Sequence, residues 1–153
     1  MARGDFALFE AFLEKIGDSV FNLSTDTFKL GLIDNTSAPT AADADPRWGN
    51  GGTTDHSANE VTPGGNYAAG GISLSAVITD NWALAGGNGV FDGDNVSITQ
   101  HASSPTNAYW GILYDDTSAG KEAIGYLDLG GPVDLSGGDF NITWNGSGIF
   151  RLV

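Results

Sequence analysis

The sequence predicts a mainly β protein, an antiparallel β-sandwich or jelly-roll-like barrel with one N-terminal amphipathic helix. Three observations predict it. Apolar and polar residues alternate at period two through most of the chain after residue 27, as half-buried strands require. Glycine makes up 23 of the 153 residues, about twice its usual ~7% share, and it clusters between those runs as turn residues do. No second helical period supplies the crossovers that a parallel sheet needs, so the sheets are expected to be antiparallel. The chain is 41% hydrophobic and only 16% charged, which sets it apart from disordered compositions. Its length suits one domain, residues 1–153.

The helix is expected over about residues 5–17. Phe6, Phe9, Phe12, Leu13 and Ile16 recur at three- and four-residue steps, with Asp5 placed as an N-cap and Gly17 as a terminator. Its stripe reads as core packing over one end of a sheet or, alternatively, as an arm that docks on a neighbouring subunit. Strands follow at Phe28/Leu30/Leu32, at Ile72/Leu74/Ala76/Ile78, at Val96/Ile98 and at Trp110/Ile112/Tyr114. The remaining strands are expected at Ile124/Tyr126 with Leu127 and Leu129, at Phe140/Ile142/Trp144, and at Phe150/Leu152. Turn signals separate them, among them Asn88-Gly89, Asp92-Gly93-Asp94, Ser118-Ala119-Gly120, Gly130-Gly131-Pro132 and Asn145-Gly146. Asn145-Gly146 suits a type I′ hairpin, which would make the last two strands antiparallel neighbours. Residues 34–66 form the exception, an irregular segment of Ala, Thr, Asp, Asn, Gly and Pro. So long a loop is usually functional or ordered by a partner.

The charge balance, 6 Lys+Arg against 19 Asp+Glu, gives −13. Such a surface repels phosphates and anionic lipid, so neither nucleic acid nor membrane is expected as a partner. With no cysteine there is no thiol catalysis, thiolate metal site or disulfide. The opening residues hold no apolar core of signal-peptide length, so a protein made and used in soluble form is expected. Both histidines, His56 and His101, lie in polar contexts and read as surface residues without a role. No Gly-x-Ser-x-Gly or phosphate-binding loop occurs. Asp92 and Asp94 could supply calcium ligands, but the twelfth-position Glu of an EF-hand is missing and an ordinary turn explains them. Asp115-Asp116 reads as a turn that ends a strand. Of the four tryptophans, Trp110 and Trp144 fall on strands with Phe140 and Tyr126, whereas Trp48 and Trp82 lie in or beside loops and suit a contact surface.

Several stretches carry a resemblance. They are 9–29 (FEAFLEKIGDSVFNLSTDTFK), Asp45-Pro46 with Trp48, 67–71 (YAAGG), 109–117 (YWGILYDDT), 124–130 (IGYLDLG) and 138–152 (GDFNITWNGSGIFRL). In this order, over nearly the full chain, they resemble small β-rich proteins encoded in the structural-gene region of tailed bacteriophages. The glycine-rich stretch 49–59 departs from that pattern. The resemblance implies a virion protein, a capsid decoration (cement) protein on the outer surface of the head. It implies the major capsid protein as partner, a homo-oligomer with a trimer as the working number, synthesis in the host cytoplasm, and no cofactor and no catalytic or metal-binding residue. Phe6, Phe9, Phe12, Leu13, Asp45, Pro46, Trp48 and Trp82 are the expected interface residues. The alternatives are a tail, neck or head-fibre component, or a carbohydrate-binding module that uses Trp48 and Trp82; an enzyme comes last for want of an organised constellation.

Overall fold

Leu30 at the middle of the second strand is fully buried, and the sheet around it organises the rest of the chain. The computed structural model describes residues 1–74 and 80–153. Five strands pair antiparallel in the order β1 (Phe6–Leu8), β10 (Ala123–Val133), β9 (Ala108–Asp115), β2 (Phe28–Ile33) and β5 (Ile72–Ser73). Of the strand expected at 72–78, Ala76 and Ile78 lie outside the described residues. A second sheet orders β12 (Phe150–Leu152), β7 (Asn88–Phe91) and β6 (Trp82–Ala85), and a third pairs β11 (Phe140–Ile142) with β8 (Val96–Ile98). The molecule is thus mainly β, with several antiparallel sheets and one helix near the N-terminus.

Period two decides what each face of the large sheet buries. Phe28, Leu30, Leu32 and Leu113 face one way and share a core with Phe91 and Phe150 of the smaller sheets. Ile33, Ile112, Tyr114 and Tyr126 face the other way and build a second core with Phe9 and Trp48. A sheet buried on both faces needs two covers, and residues 34–66 are the second one. This strap leaves β2 at Asp34 and returns to it at Val61, whose N–H donates to the Leu32 carbonyl at 3.0 Å. It contains β3 (Pro46–Arg47), β4 (Thr54–Asp55) and a 3-10 turn, His56–Asn59. The expected loop therefore has elements of its own. Its β3–β4 ladder is parallel, against the antiparallel expectation. Two rungs can close this way because Gly49, Asn50 and Gly51 all take positive φ (82°, 56° and 79°) and turn the chain back on itself.

Further expectations need correction. The helix, α1, spans Glu10–Gly17 rather than 5–17, and Phe6 lies on β1 opposite Leu127. Phe9 is the N-cap with an extended backbone, while the Asp5 carboxylate accepts from the Ala2 N–H at 2.7 Å instead of capping the helix. The tight β6–β7 turn is Gly86-Gly87, both at positive φ, not Asn88-Gly89, which begins β7. Position 89 has no room for a side chain, because a Cβ there would sit 2.1 Å from the Trp82 ring that lies over it. The last two strands are not neighbours: β11 pairs with β8 and β12 with β7, so Asn145-Gly146 carries the chain between two sheets. Gly130-Gly131-Pro132 stays within β10 as a bulge, where the register shifts between Asp128 and Val133.

Candidate functional site

The strap is fixed to the body along its whole length. Glu10, the first helical residue, donates its N–H to the Ala41 carbonyl at 2.8 Å, which satisfies a free helix N-terminal donor. Asp45, at φ 42°, takes the Lys15 ammonium at 2.5 Å and the Arg47 guanidinium at 3.1 Å. The hydrogen bond from Lys15 leads in holding its carboxyl below the usual carboxylate range. Pro46 is buried beside it. Trp48 is only 6% exposed and stacks on Tyr114 with centroids 5.1 Å apart and planes 5° from parallel. It fits because β2 has Gly31 beneath it, where an added Cβ would come within 2.2 Å of the indole. The strap's exit is closed by Glu60, whose carboxylate accepts from the Tyr67 hydroxyl at 3.0 Å and the Gly70 N–H at 2.7 Å.

Among the expected interface residues, Phe9, Phe12 and Trp48 are therefore turned into the chain's own core. Phe12 meets Phe21 and Phe150 edge-on, and Phe6 stacks on Phe150 at 6.2 Å. Trp82 is partly buried against Gly89. Leu13 points outward at 52% exposure. A site residue absent from the expected set is Leu84, 83% exposed on the edge strand β6, between Ala83 and Ala85, which are also exposed. The run Trp-Ala-Leu-Ala before a Gly-Gly turn was its only sequence signal.

The titratable groups include two surprises. His56 is buried rather than a surface residue: its ring stacks on Phe9 at 5.3 Å, with Nε2 3.5 Å from the Asp43 carboxylate. Burial holds its pKa below the usual value against the pull of Asp43 and Asp55. His101 is exposed and accepts the Ser103 N–H on Nδ1. Asp115 does end a strand, and its Oδ1 accepts from the Thr117 and Ser118 N–H groups at 2.8 and 3.0 Å. It is also fully buried, and burial first, with the Asp26 carboxylate adding to it, pushes its pKa up to about 7. Its neighbour Asp116 takes both Lys29 and Lys121. Four of the six Lys and Arg side chains are thus drawn onto two carboxylates, Asp45 and Asp116, and the exterior is left strongly acidic.

Among the described residues the Ser57 hydroxyl donates to Asp55 and the Ser118 hydroxyl to Glu122, with no histidine between hydroxyl and carboxylate in either pair. Asp92 accepts from the adjacent Gly93 N–H at 2.9 Å, and no group of three or more His, Asp or Glu side chains gathers among the described residues as a metal ion would need. No helix among the described residues is long and apolar enough to cross a membrane. Trp144, expected on a strand, lies just past β11 and stays partly exposed. Comparison with protein-family models, with curated proteins and with solved structures finds no match for this chain.

Proposed function

We propose that the chain is a β-sandwich capsid decoration protein of a tailed bacteriophage, bound to the outer surface of the head through the major capsid protein. The observation that carries this reading is the strap. Residues 34–66 cover the second face of the large sheet, so both of its faces are packed, and away from the two chain ends the large apolar side chains most exposed among the described residues are Leu13 and Leu84. A protein that stabilises a shell by mass action needs such a body, because flexible contacts lose ordering entropy on docking. The net charge of −13 supports an outer position, since an inner-surface protein facing packaged DNA would gain from Lys and Arg. The resemblance along nearly the whole chain supports the same role. The free edge of β6, with Leu84 exposed on it, supports docking by strand addition onto a capsomer. A closed oligomer, with a trimer as the working number, suits the threefold positions of a capsid lattice.

Purified protein added to mature heads lacking it is expected to bind them saturably and to appear on their outer surface by electron microscopy. Failure to bind, or density only at the tail or neck, would overturn the reading.

A further inference from the structure

Trp144 is held more rigidly than a surface aromatic needs to be. Its backbone N–H donates to the Asn95 side-chain oxygen at 3.0 Å, and its indole Nε1–H donates to the Asp94 carbonyl at 2.9 Å. Both N–H groups are thereby satisfied by the 92–95 loop, so the ring is oriented and offers a ligand only its apolar surface. The ring lines two depressions, one of about 290 Å³ towards β1 and β10 and one of about 300 Å³ against the 92–95 loop. The first is near the lower end of the ~300–1,000 Å³ range of small-molecule sites. Phe6, Leu129, Ile142 and Ile149 give it apolar walls, and Arg3, Asp128, Asn141 and Asn145 give it hydrogen-bonding groups. The second depression continues with Asp92, Asp94 and Asn95.

We infer that this double groove is a binding site for a neutral pyranose oligosaccharide straddling Trp144. A pyranose has an apolar C–H face, which suits the fixed indole, and a rim of hydroxyls that each donate and accept. Arg3 supplies donors only, Asp128 supplies acceptors, and Asn141 and Asn145 supply both, so one hydroxyl-rich ligand can meet all four. Anionic ligands are disfavoured by Asp92 and Asp94 on one side of the ring and by the overall charge of −13. A wholly apolar ligand would strip water from Arg3 and Asp128 without replacing it. Trp48, one of the two tryptophans expected to contact sugar, is 6% exposed and closed against Gly31, and Trp82 lies over Gly89, whereas Trp144 lines both depressions.

The test is a titration of the full chain, labelled at its indole nitrogens, with a panel of neutral disaccharides and trisaccharides built from glucose, galactose, mannose and N-acetylglucosamine. At least one is expected to shift the Trp144 indole signal saturably. W144A is then expected to weaken that binding about tenfold or more while circular dichroism and Tm stay close to the parent. D128N, which leaves the ring in place, provides a second reading and is expected to weaken the same glycan. No shift with any neutral glycan at ~10 mM, far above usual ligand affinities, would overturn the inference. So would a shift only with an acidic sugar, inorganic phosphate or an apolar dye, or wild-type affinity in both W144A and D128N.

Discussion

Trp48 and Trp144 stand in similar sequence, each beside turn-forming Gly and Asn, yet they have opposite fates. Trp48 closes over the large sheet, 6% exposed and stacked on Tyr114, whereas Trp144 stays partly exposed with its N–H groups tied to the 92–95 loop. The difference lies on the partner strand. Gly31 leaves a notch in β2 that accepts an indole, and the same device, Gly89 under Trp82, recurs on β7. Among the described residues no strand glycine receives Trp144 in this way; its ring packs against the edge of the main core, is tied to the 92–95 loop, and stays partly exposed.

The sharpest way to break this contrast is to remove each ring in turn. W48A leaves a cavity between the strap and Tyr114 and is expected to cost about 3–5 kcal/mol, read as a fall in Tm and in the denaturant midpoint. G31A is expected to be comparably harmful, since its Cβ would collide with the ring. W144A is expected to stay within about 1 kcal/mol. Equal losses in W48A and W144A would erase the distinction between a sealed strap and an open groove.

Proton linkage separates the strap from the β9 end. His56 holds its proton less readily folded than unfolded, because burial disfavours the imidazolium. The stability that neutral His56 contributes is present above its unfolded pKa of ~6.5 and is lost as the pH falls through the lower folded value. Hydrogen-exchange protection of the Trp48 and Val61 amides is expected to drop in acid, and H56F to flatten that drop. Asp115 runs the other way. Its folded carboxyl, pushed up to about 7, holds a proton that the unfolded chain releases near ~4. Stability from this group is greatest below pH ~4 and declines as the pH rises through 7. D115N keeps an Oδ1 acceptor for Thr117 and Ser118 and removes the repulsion from Asp26, so it is expected to be stabilising at pH 8 and neutral at pH 4. A D115N protein less stable than the parent at pH 8 would contradict this.

The smallest effect on stability is expected at Leu84. At 83% exposure, L84D is expected to change stability by no more than about 0.5 kcal/mol, yet to weaken binding to heads. A variant that binds heads as the parent does would remove β6 from the proposed interface.

The period-two runs at 28–32, 96–98, 110–114 and 124–129 were legible in the sequence because larger apolar side chains recur on one face of each strand, although only 96–98 alternates buried with exposed residues and the other three are packed on both faces. The three-residue strands at 96–98, 140–142 and 150–152 were legible too, whereas β1, β3, β4, β6 and β7 were not. Phe6-Ala7-Leu8 blends into the helical spacing of Phe9, Phe12 and Ile16, and only pairing with β10 separates it. The strap was legible as unusual but not as a cover, since its ordering depends on Gly31 and Tyr114, residues far from it in sequence. Burial of His56 depends likewise on Phe9. Asp115 showed its turn, through hydrogen bonds two and three residues ahead, but not its charge environment, which comes from Asp26 on another segment.

The central claim, that this chain decorates the outside of a phage head, is tested most directly by its copy number in purified particles, counted by quantitative mass spectrometry. A protein that occupies lattice positions is expected on the order of hundreds of copies per particle, in fixed ratio to the major capsid protein. Absence from the particle, or a dozen copies or fewer, would contradict the claim and place the protein in the tail, the neck or outside the virion.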